Sequence, residues 1–331
     1  MKKLLPFQAP PIKTFNYLAY EIGITLTNDE SLPWFHMNYF LLCCPKTDLH
    51  LEDHKLGFSL LDNPFLSKIH LSKSFIQDIT DPIQFITISL NHGYYVNTFV
   101  NEYFIPNRRA YHLESYLHDI LIIGYDSVEM ILNVVGYNSK GQFVSDNVSY
   151  DDFRNSFIYC TSSKEQWLDR FELIIPKKQE FQFNISFILN QIEDFLNGKN
   201  DAKFKYFEVP IKERDAYGKD VYEYIISYIK ENTTYWDIRF FHLLLEHKVA
   251  QLERIKFLEK KGFIKNIDEL IISNEKLVET ANILFNITLK FNITSAFGNN
   301  EKDKLIALIK QLEQQEEDIL KSLIIKIKQL L

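Results

Sequence analysis

The spacing of apolar residues changes near residue 180. Before it, short apolar runs alternate with turn residues. After it, apolar residues recur every three or four positions, the period of helices packed on one face. In the first part, Thr14 to Ile24 predicts a helix with Phe15, Leu18, Ala19 and Ile22 on one face. Ile83 to Leu90 predicts a strand in which Phe85, Thr87 and Ser89 alternate, and Tyr94 to Val100 predicts another. His118 to Tyr125 predicts a buried strand. Met130 to Tyr137 is its expected hairpin partner across Asp126-Ser127-Val128-Glu129, and Gln142 to Val144 a short third strand. Ser149 to Cys160 predicts a helix capped by Ser149, with Asp151 and Asp152 favouring its first turn. Phe171 to Ile175 predicts a last strand, closed by Pro176.

Beyond Phe183 the pattern is helical throughout. Phe187, Ile188, Gln191, Ile192 and Phe195 share a face, and Asn197-Gly198 ends that helix. Further helices are expected over Lys219 to Lys230, over Asp237 to Lys261 (capped by Asp237, stopped at Gly262) and over Ile267 to Leu289. In Glu301 to Leu331, Leu305, Leu308, Leu312, Ile319, Leu323, Ile327 and Leu330 fall near heptad spacing. The stretch Glu313 to Asp318 is polar all round, which reads as an edge helix of a bundle rather than a dimeric coiled coil.

The expected fold class is therefore α+β over residues 1–178 followed by an all-α helical domain over 179–331. Composition agrees with a packed chain: 46% of the 331 residues are hydrophobic and 24% charged, enough to bury a core. The net charge of −7, without a long basic run, gives no footprint for nucleic acid. No stretch reaches the ~18 apolar residues of a membrane span. Three cysteines, Cys43, Cys44 and Cys160, argue against a disulfide scaffold and for a reducing, cytoplasmic location. Cys43 and Cys44 follow Tyr39-Phe40-Leu41-Leu42 and read as strand or core residues.

One segment carries candidate chemistry. His118 opens an apolar strand that ends in Gly124-Tyr125-Asp126 before the chain returns. A strand end holds an imidazole rigidly, and the returning strand can supply a group that orients it. On the later helix, Arg239, His242 and Glu246 form a polar face. His242 and His247 are five residues apart and point about 140° from each other, so they do not face one metal; neither a metal nor a cofactor is expected. Tyr95 and Tyr111 belong to an aromatic cluster that could line a pocket, and Arg108-Arg109 could meet an acidic partner.

The segment from Tyr94-Tyr95-Val96-Asn97 through the His118 strand to Ser149-Tyr150-Asp151-Asp152-Phe153, with the helix Asp237 to Lys248, resembles the family of the butirosin biosynthesis protein H N-terminal domain. That family is related to the bacteriocin-processing cysteine peptidases and occurs in bacterial natural-product gene clusters; the helix resembles its peptide-synthetase-associated branch. The resemblance implies a papain-like domain with a triad of Cys, His and Asp or Asn. His118 matches the base. The third position falls near Gly136, with Asn133 or Asn138 as substitutes. The nucleophile position, at the start of the first helix, reads Thr14, and Gln8, six residues upstream, matches the oxyanion-hole Gln. A relocated Cys43 or Cys44 is the alternative nucleophile. Arg239, His242 and Glu246 become a docking or ligand-lining face.

Two functions follow as expectations. In the first, a degenerate papain-like protein of a peptide or polyketide pathway binds a peptide, an acyl chain or a carrier protein in the former cleft. In the second, an acyltransferase moves an acyl group from a carrier-protein thioester to an amine with His118 as base.

Overall fold

The run Ile120-Leu121-Ile122-Ile123 is apolar on both sides, so the strand that carries it must be covered on both faces. The computed structural model, which describes residues 1–45, 56–60, 62–161, 166–201, 215–232, 235–295 and 298–329, places these four residues, all buried, in a seven-stranded antiparallel sheet. His50, His54, Leu330 and the side chain of Cys160 lie outside what is described.

The strands are β1 (Lys2–Leu4), β2 (Leu42–Pro45), β3 (Gly57–Phe58), β4 (Leu66–Ser72), β5 (Tyr95–Asn101), β6 (Leu117–Asp126), β7 (Ile131–Tyr137), β8 (Phe143–Ser149), β9 (Arg170–Pro176) and β10 (Asp215–Tyr217). The helices are α1 (Asn16–Thr25), α2 (Leu32–Asn38), α3 (Lys73–Ile79), α4 (Pro82–Asn91), α5 (Tyr150–Thr161), α6 (Ile185–Asn197), α7 (Asp220–Glu231), α8 (Ile238–Lys260), α9 (Asp268–Thr294) and α10 (Asn299–Lys328). The protein is of the α+β class. These elements gather into two units: residues Met1–Ser31 with Asn63–Glu180, and Leu32–Asp62 with Phe181–Leu331.

In the first unit the strand order is β4-β9-β5-β6-β7-β8. β5 pairs with β6 up to Ile122, and β1 pairs with β6 from Gly124 onward. α4 and α5 pack on β5, where Phe85, Phe157 and Phe171 meet edge to face. The segment 83–90, expected as a strand, is helix α4. Asp81 accepts from the backbone N–H groups of Ile83 and Gln84, Pro82 occupies the first turn, and Ile83, Ile86 and Leu90 recur at helical spacing on the buried side. The cap and the proline outweigh the alternation. Ser149 caps α5 as expected: its Oγ accepts from Asp152 N–H at 3.0 Å and donates to the Asp152 carboxylate at 2.7 Å.

In the second unit β10-β2-β3 form a small antiparallel sheet among α2 and α6 to α10. Residues 32–62 belong here and not with the first part of the chain. β2 pairs with β10, Cys44 opposite Ala216. On α8, Arg254 donates to the carbonyls of His36 at 2.6 Å and Tyr39 at 2.7 Å, and His247 bonds the carbonyl of Phe40 at 2.7 Å. A buried carbonyl needs a donor, and α8 supplies three. Gly198 ends α6 in the left-handed conformation, as its sequence predicts.

Candidate functional site

β6 fixes His118 by register, opposite Val100 of β5. The chain then turns sharply after β5. Asn101 Oδ1 accepts from the N–H groups of Tyr103 and Tyr116, its Nδ2 donates to Ser115, and Glu102 N–H donates to the Tyr116 carbonyl. These bonds tie the turn to the entrance of β6 and set Glu102 beside the histidine. His118 Nδ1 lies 3.1 Å from Glu102 Oε1, and Nε2 lies 3.7 Å from Asp119 Oδ1. Burial works against the imidazolium. The hydrogen bond to Glu102 and the charges of Asp119 and Glu102 outweigh it, so the His118 pKa stands above its ordinary value. Burial also raises the Asp119 pKa, against the opposing pull of His118 and Asn16.

The start of α1 reaches the same place through Asn16. Its Nδ2 is 3.1 Å from Asp119 Oδ1, and one turn on, Tyr20 donates its hydroxyl to the carbonyls of Asp119 and Val135. Across the sheet, Arg108 donates to the Tyr137 carbonyl and its guanidinium lies over Gly136. A Cβ at residue 136 would come within 2.9 Å of that guanidinium. The position expected to carry a carboxylate is thus the floor under an arginine. A cavity of about 340 Å³ opens beside His118, lined by Glu102, Arg109, Tyr116, Tyr137, Asn138 and Ser139 among others.

Other expected site residues sit elsewhere. Thr14 is buried before the first turn of α1, and the side chain that meets Asp119 is Asn16. Gln8 is exposed and its backbone bonds to Gly23, seven residues beyond Asn16 and about 10 Å along the helix axis. Asn133 pairs with Gly124, six residues along β6 from His118, roughly 20 Å away. It donates to Asn147. Asn138 does line the cavity, although its side chain is occupied in the turn with Lys140 and Gln142. Tyr95 is a core residue whose hydroxyl donates to the Pro6 carbonyl, and the Tyr111 ring lies tilted against His112. Tyr116 is the aromatic ring beside His118, at 5.4 Å. Cys43 and Cys44 lie on β2 in the second unit, Cys44 fully buried.

In the second unit, Arg239 is exposed and bonded to Asp237, the cap of α8. His242 Nε2 lies 3.4 Å from Glu246 and its ring 5.2 Å from Phe285. The strongest chemistry there was not foreseen. Lys248 donates to Glu316 at 2.5 Å and to His247 Nδ1 at 2.9 Å, and Tyr222 donates to the other Glu316 oxygen at 2.5 Å. The Lys248, His247 and Glu316 side chains are wholly buried. Burial and the cations Lys248 and Arg254 hold the His247 pKa far below its ordinary value, and burial lowers that of Lys248. Glu316 lies within the stretch Glu313 to Asp318 that is polar all round. Among the described residues, no group of three or more His, Cys, Asp or Glu side chains could hold a metal ion. No helix among them is long and apolar enough to cross a membrane.

No family model matches the chain, and no curated protein matches it.

Proposed function

We propose that this is a degenerate papain-like protein of a bacterial natural-product pathway, cytoplasmic, which binds a peptide, an acyl chain or a carrier-protein arm at the His118 cavity and does not hydrolyse it. The observation that carries the reading is the pair of carboxylates at the two ring nitrogens of His118. A general base must offer a lone pair to the proton it takes. An imidazole flanked by Glu102 and Asp119 holds its proton more firmly than a free one, since its pKa is raised. The side chain supplied by α1 is an amide, which is no nucleophile. His118 then acts as a fixed hydrogen-bond donor on the wall of a binding site.

A second reading rests on one distance. At 3.7 Å, Nε2 is beyond hydrogen-bond length from Asp119, so Glu102 could orient Nδ1 while Nε2 serves as base. That is the geometry of an acyltransferase that lets an amine attack a thioester directly. The two readings separate with a hexanoyl N-acetylcysteamine thioester and glycine as acceptor. Calorimetry should detect binding of the thioester, and thiol release should equal the buffer rate for wild type and His118→Ala alike. Release above that rate, cut ~10²-fold or more by His118→Ala, overturns the binding reading in favour of acyl transfer.

A further inference from the structure

A second carboxylate–imidazole pair stands on the same sheet, three strand spacings from β6 or roughly 14 Å across. His70 on the edge strand β4 is in register with Glu172 on β9, and Glu172 with Asn97 on β5. The three side chains form one cross-strand row. Glu172 is buried and both its oxygens are held. His70 Nε2 lies 2.7 Å from Oε1 with Lys68 Nζ at 4.0 Å, and Asn97 Nδ2 donates to Oε2 at 3.2 Å. Burial opposes the Glu172 charge, but Lys68, His70, Asn97 and Arg170 prevail and its pKa lies below the ordinary carboxylate value.

An ionised carboxylate only accepts hydrogen bonds. In the neutral imidazole, His70 Nε2 therefore carries the proton and Nδ1 the lone pair. The His70 side chain is 61% exposed, so the ring is held from beneath at Nε2 and is otherwise open to solvent. Lys68, two residues away on the same face of β4, places an ammonium beside the pair and is itself held by Glu21 of α1. The charged groups around His70 are thus Lys68 on its own strand, Glu172 and Arg170 on β9, and Glu21 on α1.

We propose that His70 is an acyl-accepting nucleophile for activated carboxylic esters, with Glu172 as its positioning residue. The Nδ1 lone pair adds to the ester carbonyl carbon. The bond from that carbon to the leaving oxygen breaks, the leaving group departs as an alkoxide or phenolate, and an acyl-imidazolium remains whose Nε2–H stays on Glu172. Water then adds to the acyl carbon and the C–N bond breaks. The hydroxide part of the water stays with the acid, its proton neutralises the departed phenolate, and His70 is restored. Neither His118 nor its cavity takes part.

The probe is p-nitrophenyl acetate on the full chain, read as p-nitrophenolate release and as acetyl adducts in quenched samples by peptide mass spectrometry. His70→Gln, at an exposed position, should cut the rate ~10²-fold. The adduct should map to His70. The exposed His92 lies outside the row, and His92→Gln should keep the wild-type rate. Glu172→Gln should lower kcat and leave KM, a split that general loosening of the sheet does not produce. An unchanged rate in His70→Gln, or acetyl found on another residue, overturns the proposal. A raised KM at constant kcat in Glu172→Gln overturns the positioning role.

Discussion

Acidification should unfold the second unit through histidines that the fold keeps neutral. His36 is buried on α2, its ring stacked 4.5 Å from Phe257, with the Arg254 guanidinium nearby. Burial first, then Arg254, holds its pKa down to about 3. In the unfolded chain the same group titrates near its ordinary value of 6.5. Between those two values the unfolded state binds a proton that the folded state refuses, so stability rises with pH and falls as the solution is acidified. The slope from this one group is ~1.4 kcal/mol per pH unit, which makes about 2.7 kcal/mol at pH 4.5 and about 4 kcal/mol near pH 3. His247 acts in the same direction, since its pKa is also held far down. His36→Leu removes one titration and leaves the other. Urea unfolding of a Trp167→Phe background, followed by the fluorescence of the buried Trp34 and Trp236 of the second unit, gives stability at each pH by linear extrapolation. The variant is expected to lose stability at pH 7 through lost packing. Its profile between pH 6 and pH 4 should nonetheless be flatter than wild type by ~1.4 kcal/mol per pH unit. Parallel profiles would refute the reasoning.

Two further outcomes follow from the buried and half-buried charges. Lys248→Met leaves Glu316 in the core without its cation, with only the Tyr222 hydroxyl still bonded to it, which should cost about 3–5 kcal/mol, while adding Glu316→Leu should recover part of that loss; thermal melts of the single and double variants check both. His118 titrates with the opposite sign to His36: its pKa is raised in the folded state, so its contribution is full below the unfolded value and is lost as pH rises through the folded one. Glu102→Gln should therefore lower the His118 midpoint in an NMR titration, and an unmoved midpoint would mean that Glu102 does not hold the imidazolium.

The elements legible in the sequence are those whose local signals agree. The strands over 95–101, 117–126 and 131–137 follow from dense apolar runs. The helix boundaries at Ser149, Gly198 and Asp237 follow from caps that bond as their residue types predict. Where signals conflict, the apolar alternation misleads: α4 is a helix because Asp81 and Pro82 start one. β4 leaves no strand signal because it is an edge strand whose middle, Lys68 to His70, is exposed and mostly polar. The placement of residues 32–62 could not be read locally at all. It depends on β2 meeting β10, a pairing of Cys44 with Ala216 far along the chain.

The candidate site divides in the same way. His118 was legible because its strand is; its partners were not. Glu102 arrives through a turn pinned by Asn101, and Asn16 arrives because the first turn of α1 begins two residues beyond Thr14. The buried cluster of the second unit did leave a trace. His247, Lys248, Gln251 and Arg254 fall on the same stripe of α8 as Phe240, Leu244 and Leu258. Glu316 falls on the stripe of α10 that carries Leu305, Ile309, Leu312, Ile319 and Leu323. A charge on a core stripe is costly unless a partner neutralises it. Two helices whose core stripes carry charges of opposite sign therefore imply each other. A packing that moved Lys248 away from Glu316 would bury the two charges apart. The pair thus penalises wrong registers more than it stabilises the right one, and that is why the Lys248→Met, Glu316→Leu double variant should regain stability that the single variant loses.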